Sequence, residues 1–226
     1  ADADYLLPFA DKTTRSPIAA EQNAGFSKVV EYLEEHLRAR QGKPGNDLLS
    51  LIANGEIDGK RLDYQEALAL SSLIMFAGLD TVVSSMGFFM RHLALHPEHR
   101  RRLIEDPARI PAAIDEILRR FGIANMGRTV AQDMEYNGVT MKQGELVLLP
   151  TALYGLDERI HQRPLEVDFD RADSRHLVFG SGAHRCIGSM LAKLELRILL
   201  EEWLPQIPEF QIKPGETPRV RSGKVN

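Results

Sequence analysis

The stretch "HLVFGSGAHRCIGSML", residues 176–191, holds the chain's single cysteine, Cys186, among three glycines. A thiolate, not a thiol, is the nucleophile and the metal ligand, and it is favoured where backbone N–H groups and a helix N-terminus converge on the sulfur. Gly180, Gly182 and Gly188 let backbone stand where side chains would crowd, leaving room for something large and flat. One thiolate cannot close a tetrahedral zinc site, but it suffices as the single protein ligand of a haem iron. A buried structural cysteine in a tight turn fits the same spacing. The residues of this stretch alone leave both readings standing.

Working outward, apolar residues recur at helical spacing from about 187 to 203, so a helix follows the cysteine directly. Before it, residues 151–176 read as one short helix and then a loop rich in Pro and Asp. In "MEYNGVTMKQGELVLLP" (134–150) the period changes to two. Asn137-Gly138 is a strong hairpin turn and Glu145 to Leu149 a second strand, which places a small β region at about 133–149. In residues 96–122, "HPEHRRRLIEDPARIPAAIDEILRRFG", a short charged helix precedes another at about 108–121 whose Ile110, Ile114, Ile117, Leu118 and Phe121 share a face. Glu116 and Arg119 fall on the other side. Periodicity therefore predicts a solvated charge face there, with Asp115–Arg119 or Glu116–Arg120 pairing equally well.

From Ala67 to Met90 the only charge is Asp80. The length would allow a membrane span. A carboxylate near mid-span costs about 2.5–3.5 kcal/mol on insertion scales, so the expectation is a long central helix at about 63–96, buried on all sides in a soluble core. Within it, "AGLDT" (77–81) sets Gly78 and two polar residues in apolar surroundings. One reading is close helix packing at Gly78, a Thr81 bond to a carbonyl one turn back and an arginine partner for Asp80. The other is a distorted groove where a ligand meets a hydroxyl and a proton-relaying carboxylate. Near the start, "FSKVVEYLEEHLRAR" (26–40) is amphipathic through Val29, Val30, Leu33 and Leu37, and Asp63 is placed to cap the long helix.

Composition narrows the function classes. The chain has 226 residues, 43% of them hydrophobic, with 28 basic and 32 acidic side chains mixed along it, so neither a nucleic-acid nor a membrane-surface partner is advertised. One cysteine forms no internal disulfide, and the first residues lack a signal-peptide pattern, which makes the cytoplasm the default. The chain starts without Met, as a processed product or a piece of something longer would.

The run Phe179-Gly-Ser-Gly182-Ala-His184-Arg-Cys186-Ile-Gly188 resembles the haem-binding loop (179–188) of the cytochrome P-450 superfamily. "AGLDT" is similar to that family's oxygen-binding segment, and Glu116-Ile-Leu-Arg119 to its Glu-x-x-Arg pair. "GLDTVV", "HPEHR", "GLDER" and "EWLPQIPEF" bring it near the soluble bacterial camphor 5-monooxygenase-like subgroup. The resemblance implies a mainly α fold with a small β component, of which residues 1–226 would be the partial, C-terminal haem-thiolate portion. It implies haem b with Cys186 as axial thiolate, and Phe179, Gly182, Gly188 and Ala77 around the cofactor. His184 and Arg128 would hold propionates, and an acidic position of the family falls on Met126 instead. It further implies Asp80, Thr81 and Gly78 as the catalytic segment, Glu116 and Arg119 as a buried structural pair, and Phe76, Ile123, Ala124 and Asn125 facing substrate. The reaction implied is insertion of one oxygen atom from O2 into a C–H bond of a small hydrophobic, terpenoid-like substrate, with electrons from a [2Fe-2S] ferredoxin. The alternative is a truncated, non-catalytic helical fragment that binds haem weakly or not at all, and that dimerises or exchanges elements between copies.

Overall fold

The computed structural model describes residues 2–43 and 45–220. They divide into two compact units, one running through Asp80 and the other beginning at Thr81.

The first unit is built on α1 (Asp2–Arg15), α2 (Ala19–Arg40) and α3 (Leu48–Ala53), followed by a short hairpin, β1 (Glu56–Ile57) and β2 (Lys60–Arg61). Its core follows from the heptad-like stripe of α2: Val29, Leu33 and Leu37 meet Leu6, Ile52, Ala67 and Leu68. Gly25 lets α1 and α2 approach, since a Cβ there would stand 2.6 Å from the carbonyl oxygen of Phe9. Asp47 caps α3 by accepting from the Ser50 N–H at 3.0 Å. The hairpin turns through Asp58 and Gly59, both at positive φ.

The long helix α4 (Tyr64–Leu95) starts in a reciprocal capping box: Glu66 N–H donates to Asp63, and Asp63 N–H donates to the Glu66 carboxylate, each at 2.8 Å. It is not buried on all sides, as its composition predicts. Its early turns bury Ala67, Leu68, Ser71 and Ser72, its late turns bury Ser85, Phe89, His92 and Leu93, and Leu73, Ala77, Gly78 and Val83 are exposed. Only 17% of its most apolar window is buried, and by length and composition this helix could cross a membrane. Each unit covers one stripe at one end of α4, and hydropathy alone does not specify how many stripes find partners.

The second unit comprises the rest of α4, α5 (Pro97–Glu105), α6 (Ile110–Arg120), α7 (Thr151–Gly155), α8 (Ser189–Gln206) and four strands. Ile110, Ala113, Ile114, Ile117 and Leu118 of α6 pack with Leu196, Leu200 and Leu204 of α8, with Phe89, Leu93, Leu103 and Phe169 around them. β3 (Asn125–Thr129) pairs antiparallel with β6 (Leu146–Pro150), placing Asn125 opposite Pro150. β4 (Met134–Tyr136) and β5 (Val139–Met141) form the hairpin whose turn, Asn137-Gly138, has both residues at positive φ, the primed geometry that dipeptide favours.

Candidate functional site: the cysteine loop and its supports

The loop before α8 is shaped by backbone bonds. Gly180 N–H donates to Leu177 O at 2.8 Å, Arg185 N–H to Gly182 O at 3.1 Å, and Cys186 N–H to Phe179 O at 2.8 Å. Gly180 and Gly182 take φ of 68° and 64°, where any side chain is strained, and a 3-10 turn spans Gly182–His184. Gly180 also passes close to β3, because a Cβ there would lie 3.4 Å from Met126 Sδ. These bonds gather Phe179, Gly182, His184, Cys186 and Gly188 into one turn, the last of them next to the Cys186 sulfur, which a Cβ at Gly188 would meet at 3.8 Å. Cys186 itself is exposed and in no disulfide, so the buried structural cysteine is ruled out.

The loop's approach is anchored from below. Asp115 of α6 accepts from Lys193 of α8 at 2.5 Å and lies 3.4 Å from His176 Nε2, two residues before Val178. Burial pushes the Asp115 carboxyl up, but the hydrogen bonds from His176 and Lys193 outweigh it and hold the group below its usual range. The His176 ring in turn lies 5.7 Å from that of Phe179.

Glu116 and Arg119 form a buried pair, 1% and 0% exposed, joined by two bonds of 2.8 Å. The solvated charge face that periodicity predicts is thus not what forms. The reason is a third residue, Arg171, whose Nε donates to both Glu116 oxygens at 2.9 and 3.0 Å. Two guanidinium groups on one carboxylate leave a surplus of donors, and loop carbonyls absorb it. Arg119 reaches Gly155 O, Pro164 O and Glu166 O, while Arg171 reaches Gln162 O, Arg163 O and Glu166 O. Asp168 N–H completes the carboxylate at 2.9 Å. Arg171 was not singled out from sequence, where it is one of four arginines between residues 151 and 176 and nothing local marks it as the buried one.

The remaining expected site residues fall in two places. In the second unit, Ile123 is buried, Ala124 O accepts from Thr151 Oγ1 at 2.5 Å, and Asn125 begins β3. Arg128, on the same strand, donates to its neighbour's carbonyl, Gly127 O, at 2.8 Å and has no carboxylate partner among the described residues. Thr81 is the first residue of this unit on α4. In the first unit, the Phe76 ring stacks on that of Phe26 at 5.0 Å, Ala77 and Gly78 are exposed, and Asp80 accepts from Arg15 Nη2 at 3.2 Å. No Cβ at Gly78 would meet anything within 4 Å, so the close helix packing offered as its reason is not formed.

A haem is tested against these residues by their chemistry. The thiol is exposed and in no disulfide, Gly188 puts no side chain beside it, and its sequence neighbours Ile187, Met190 and Leu191 are exposed apolar groups. A single soft sulfur donor beside bare apolar surface suits a flat apolar macrocycle with one open axial position on iron. Arg128 and His184 supply cationic or hydrogen-bonding groups without acidic partners among the described residues, as carboxylate side chains of such a group require. The donor set fits.

The comparisons agree in one direction. The chain is 34% identical over 207 residues to the probable cytochrome P450 127A1 of Sinorhizobium fredii, covering 92% of this chain and 50% of that protein. It is 37% identical over 212 residues to cytochrome P450-terp of a Pseudomonas species, covering 93% and 50%. The crystal structure of CYP101J2 superposes with a TM-score of 0.89 at 37% identity, over 99% of this chain and 56% of that one. This chain therefore spans about half the length of the relatives it matches. The match to the cytochrome P450 family runs from residue 6 in the first helix to residue 223, well past the cysteine loop, and with helices, strands and loop all inside it the chain belongs to that family.

Proposed function

We propose that this chain is the haem-thiolate portion of a monooxygenase, and the observation that carries the reading is the exposed, uncommitted Cys186 in its glycine turn. Haem b, when bound, supplies a redox iron at which O2, two electrons and two protons convert R–H to R–OH and water. The chain's own residues do the rest. Cys186 would be the residue that holds the iron, and its N–H bond to Phe179 O keeps it in place. His184 and Arg128 neutralise propionates, and Gly182, Gly188 and Ala77 keep bulk away from the cofactor.

Asp80 and Thr81 carry protons, with Gly78 opening the groove. Arg15 fixes the Asp80 carboxylate at 3.2 Å, so proton delivery runs through a carboxylate with one oxygen already engaged. Phe76, Ile123, Ala124 and Asn125 offer three apolar side chains and one amide to a small hydrophobic, terpenoid-like substrate. Electrons come from a [2Fe-2S] ferredoxin in the cytoplasm. Arg185 is exposed on the cysteine loop, whereas Lys193 is engaged with Asp115 and is the weaker candidate for docking it.

A second reading is favoured by the bare apolar residues of α4 and α8, among them Leu73, Val83, Met190 and Leu194. On it the 226-residue chain self-associates or exchanges elements and holds haem weakly. Haem titration followed by the absorbance of the reduced carbon monoxide complex separates the two. Stoichiometric uptake with the thiolate band that names the family supports the first. Oligomers in light scattering with no stoichiometric uptake support the second.

A further inference from the structure

Three histidines gather where α4 gives way to α5, and nothing in the haem-thiolate reading uses them. His92 and His96 are one turn apart, His99 lies in the first turn of α5, and the bend at Leu95–Pro97 folds them together. Their rings stand 4.4, 5.1 and 5.4 Å apart by centroid. His92 Nε2 and His99 Nδ1 are 2.9 Å apart, and His96 Nδ1 lies 3.0 Å from a Glu98 carboxylate oxygen. Ring packing on Phe121 and Phe169 accounts for the burial of His92 and the placement of His99. It does not account for two imidazoles and a carboxylate whose ligand atoms all lie within 4.8 Å of one another.

We propose that His96, Glu98 and His99 bind one divalent transition-metal ion of the zinc class, with His92 orienting the His99 ring from behind. Two imidazoles and one carboxylate form a three-ligand zinc set that leaves a fourth position to water. The mixture of nitrogen and oxygen selects Zn2+, Ni2+ or Cu2+ over Mg2+ and Ca2+. The bond between His92 and His99 plays the part of the outer-shell partner that fixes ring orientation at such sites. Ligands about 2.1 Å from a tetrahedral ion stand about 3.4 Å apart, so the 4.8 Å span closes by a rotamer change. The side chain of Glu98 is 57% exposed and free to make it. The ion would clamp the first turn of α5 onto His96, the residue that follows α4, independently of Cys186.

The test is titration of the haem-free 226-residue chain with Zn2+ against a chromophoric chelator, and with Co2+ followed by absorbance. The expected result is one equivalent of metal, visible d–d bands and no near-ultraviolet thiolate-to-cobalt band. His96→Ala and His99→Ala should each weaken binding at least about 100-fold and His92→Phe about 10-fold, on the scale seen for supporting residues, with Cys186→Ser unchanged. Glu98→Gln, at an exposed position, must weaken binding too, and it keeps the test decisive if the histidine variants misfold. Absence of stoichiometric binding, persistence in Glu98→Gln, or a thiolate band lost in Cys186→Ser overturns the proposal.

Discussion

Two loops of the second unit are held in opposite ways. Between Gly155 and Arg171 the chain is fixed by side chains: Glu116, Arg119 and Arg171 direct charged donors and acceptors at the backbone and leave almost nothing to solvent. Between Leu177 and Gly188 it is fixed by its own backbone, and its one reactive side chain faces outward. Saturating a buried ionic group makes a position rigid and inert. A glycine turn that spends only main-chain bonds leaves its cysteine side chain available. Asp115, next to Glu116 on α6, bonds to His176 just before the open loop and to Lys193 on the helix after it, tying the flanks of that loop to the helix that carries the closed network.

The sharpest way to break this contrast is at the closed loop. Glu116→Ala leaves two guanidinium groups buried without their anion, which should lower the unfolding free energy by about 3–5 kcal/mol. A urea titration followed by circular dichroism reads it, and a loss below about 1 kcal/mol would mean the network contributes no more than a surface pair. Gly155→Ala is next in size. Its Cβ would sit 2.3 Å from Arg119 O and 3.0 Å from Arg119 Cγ, so the arginine has to shift off its carbonyls. The cost should be about 1–3 kcal/mol by overpacking, and the equivalent change at Gly138, where a Cβ meets nothing, would separate contact from backbone strain.

Local chemistry carries over from sequence to structure, and remote pairing does not. The Asn137-Gly138 turn, the Asp63 cap and the α2 stripe are each decided by residues within a few positions of one another, and each forms. The cysteine loop is legible for the same reason, because its glycines and thiol are neighbours in sequence. Glu116 looks solvated by periodicity because its deciding partners, Asp168 and Arg171, lie 52 and 55 residues away. β3 hides in "NMGRT", a segment with no alternation, and exists because β6 pairs with it. The histidines at 92, 96 and 99 have helical spacing, yet only the bend between two helices brings their rings together.

Smaller effects belong to the link between the loops. The folded Asp115 carboxyl titrates below its unfolded value, so its contribution to stability is complete above about pH 4 and is lost as pH falls through the lower, folded value. Asp115→Asn should therefore flatten the acid limb of a pH–stability curve. The group is partly exposed, so the change at neutral pH should stay under about 1 kcal/mol, and an unchanged acid limb would show that His176 and Lys193 do not bind the loop to α6.

Least of all should depend on the thiol itself. Cys186→Ser changes an exposed side chain that lies outside both buried apolar clusters of the described residues, so unfolding free energy should stay within about 0.5 kcal/mol of the parent. The same change replaces the soft donor with a hydroxyl that does not ionise near neutral pH, so the thiolate band of the reduced carbon monoxide complex should vanish while haem affinity falls. That pairing, near-zero in stability and total in ligation, is what an open loop predicts. Destabilisation on the scale of Glu116→Ala would place the sulfur among the groups that hold the fold, and the contrast between the two loops would fail.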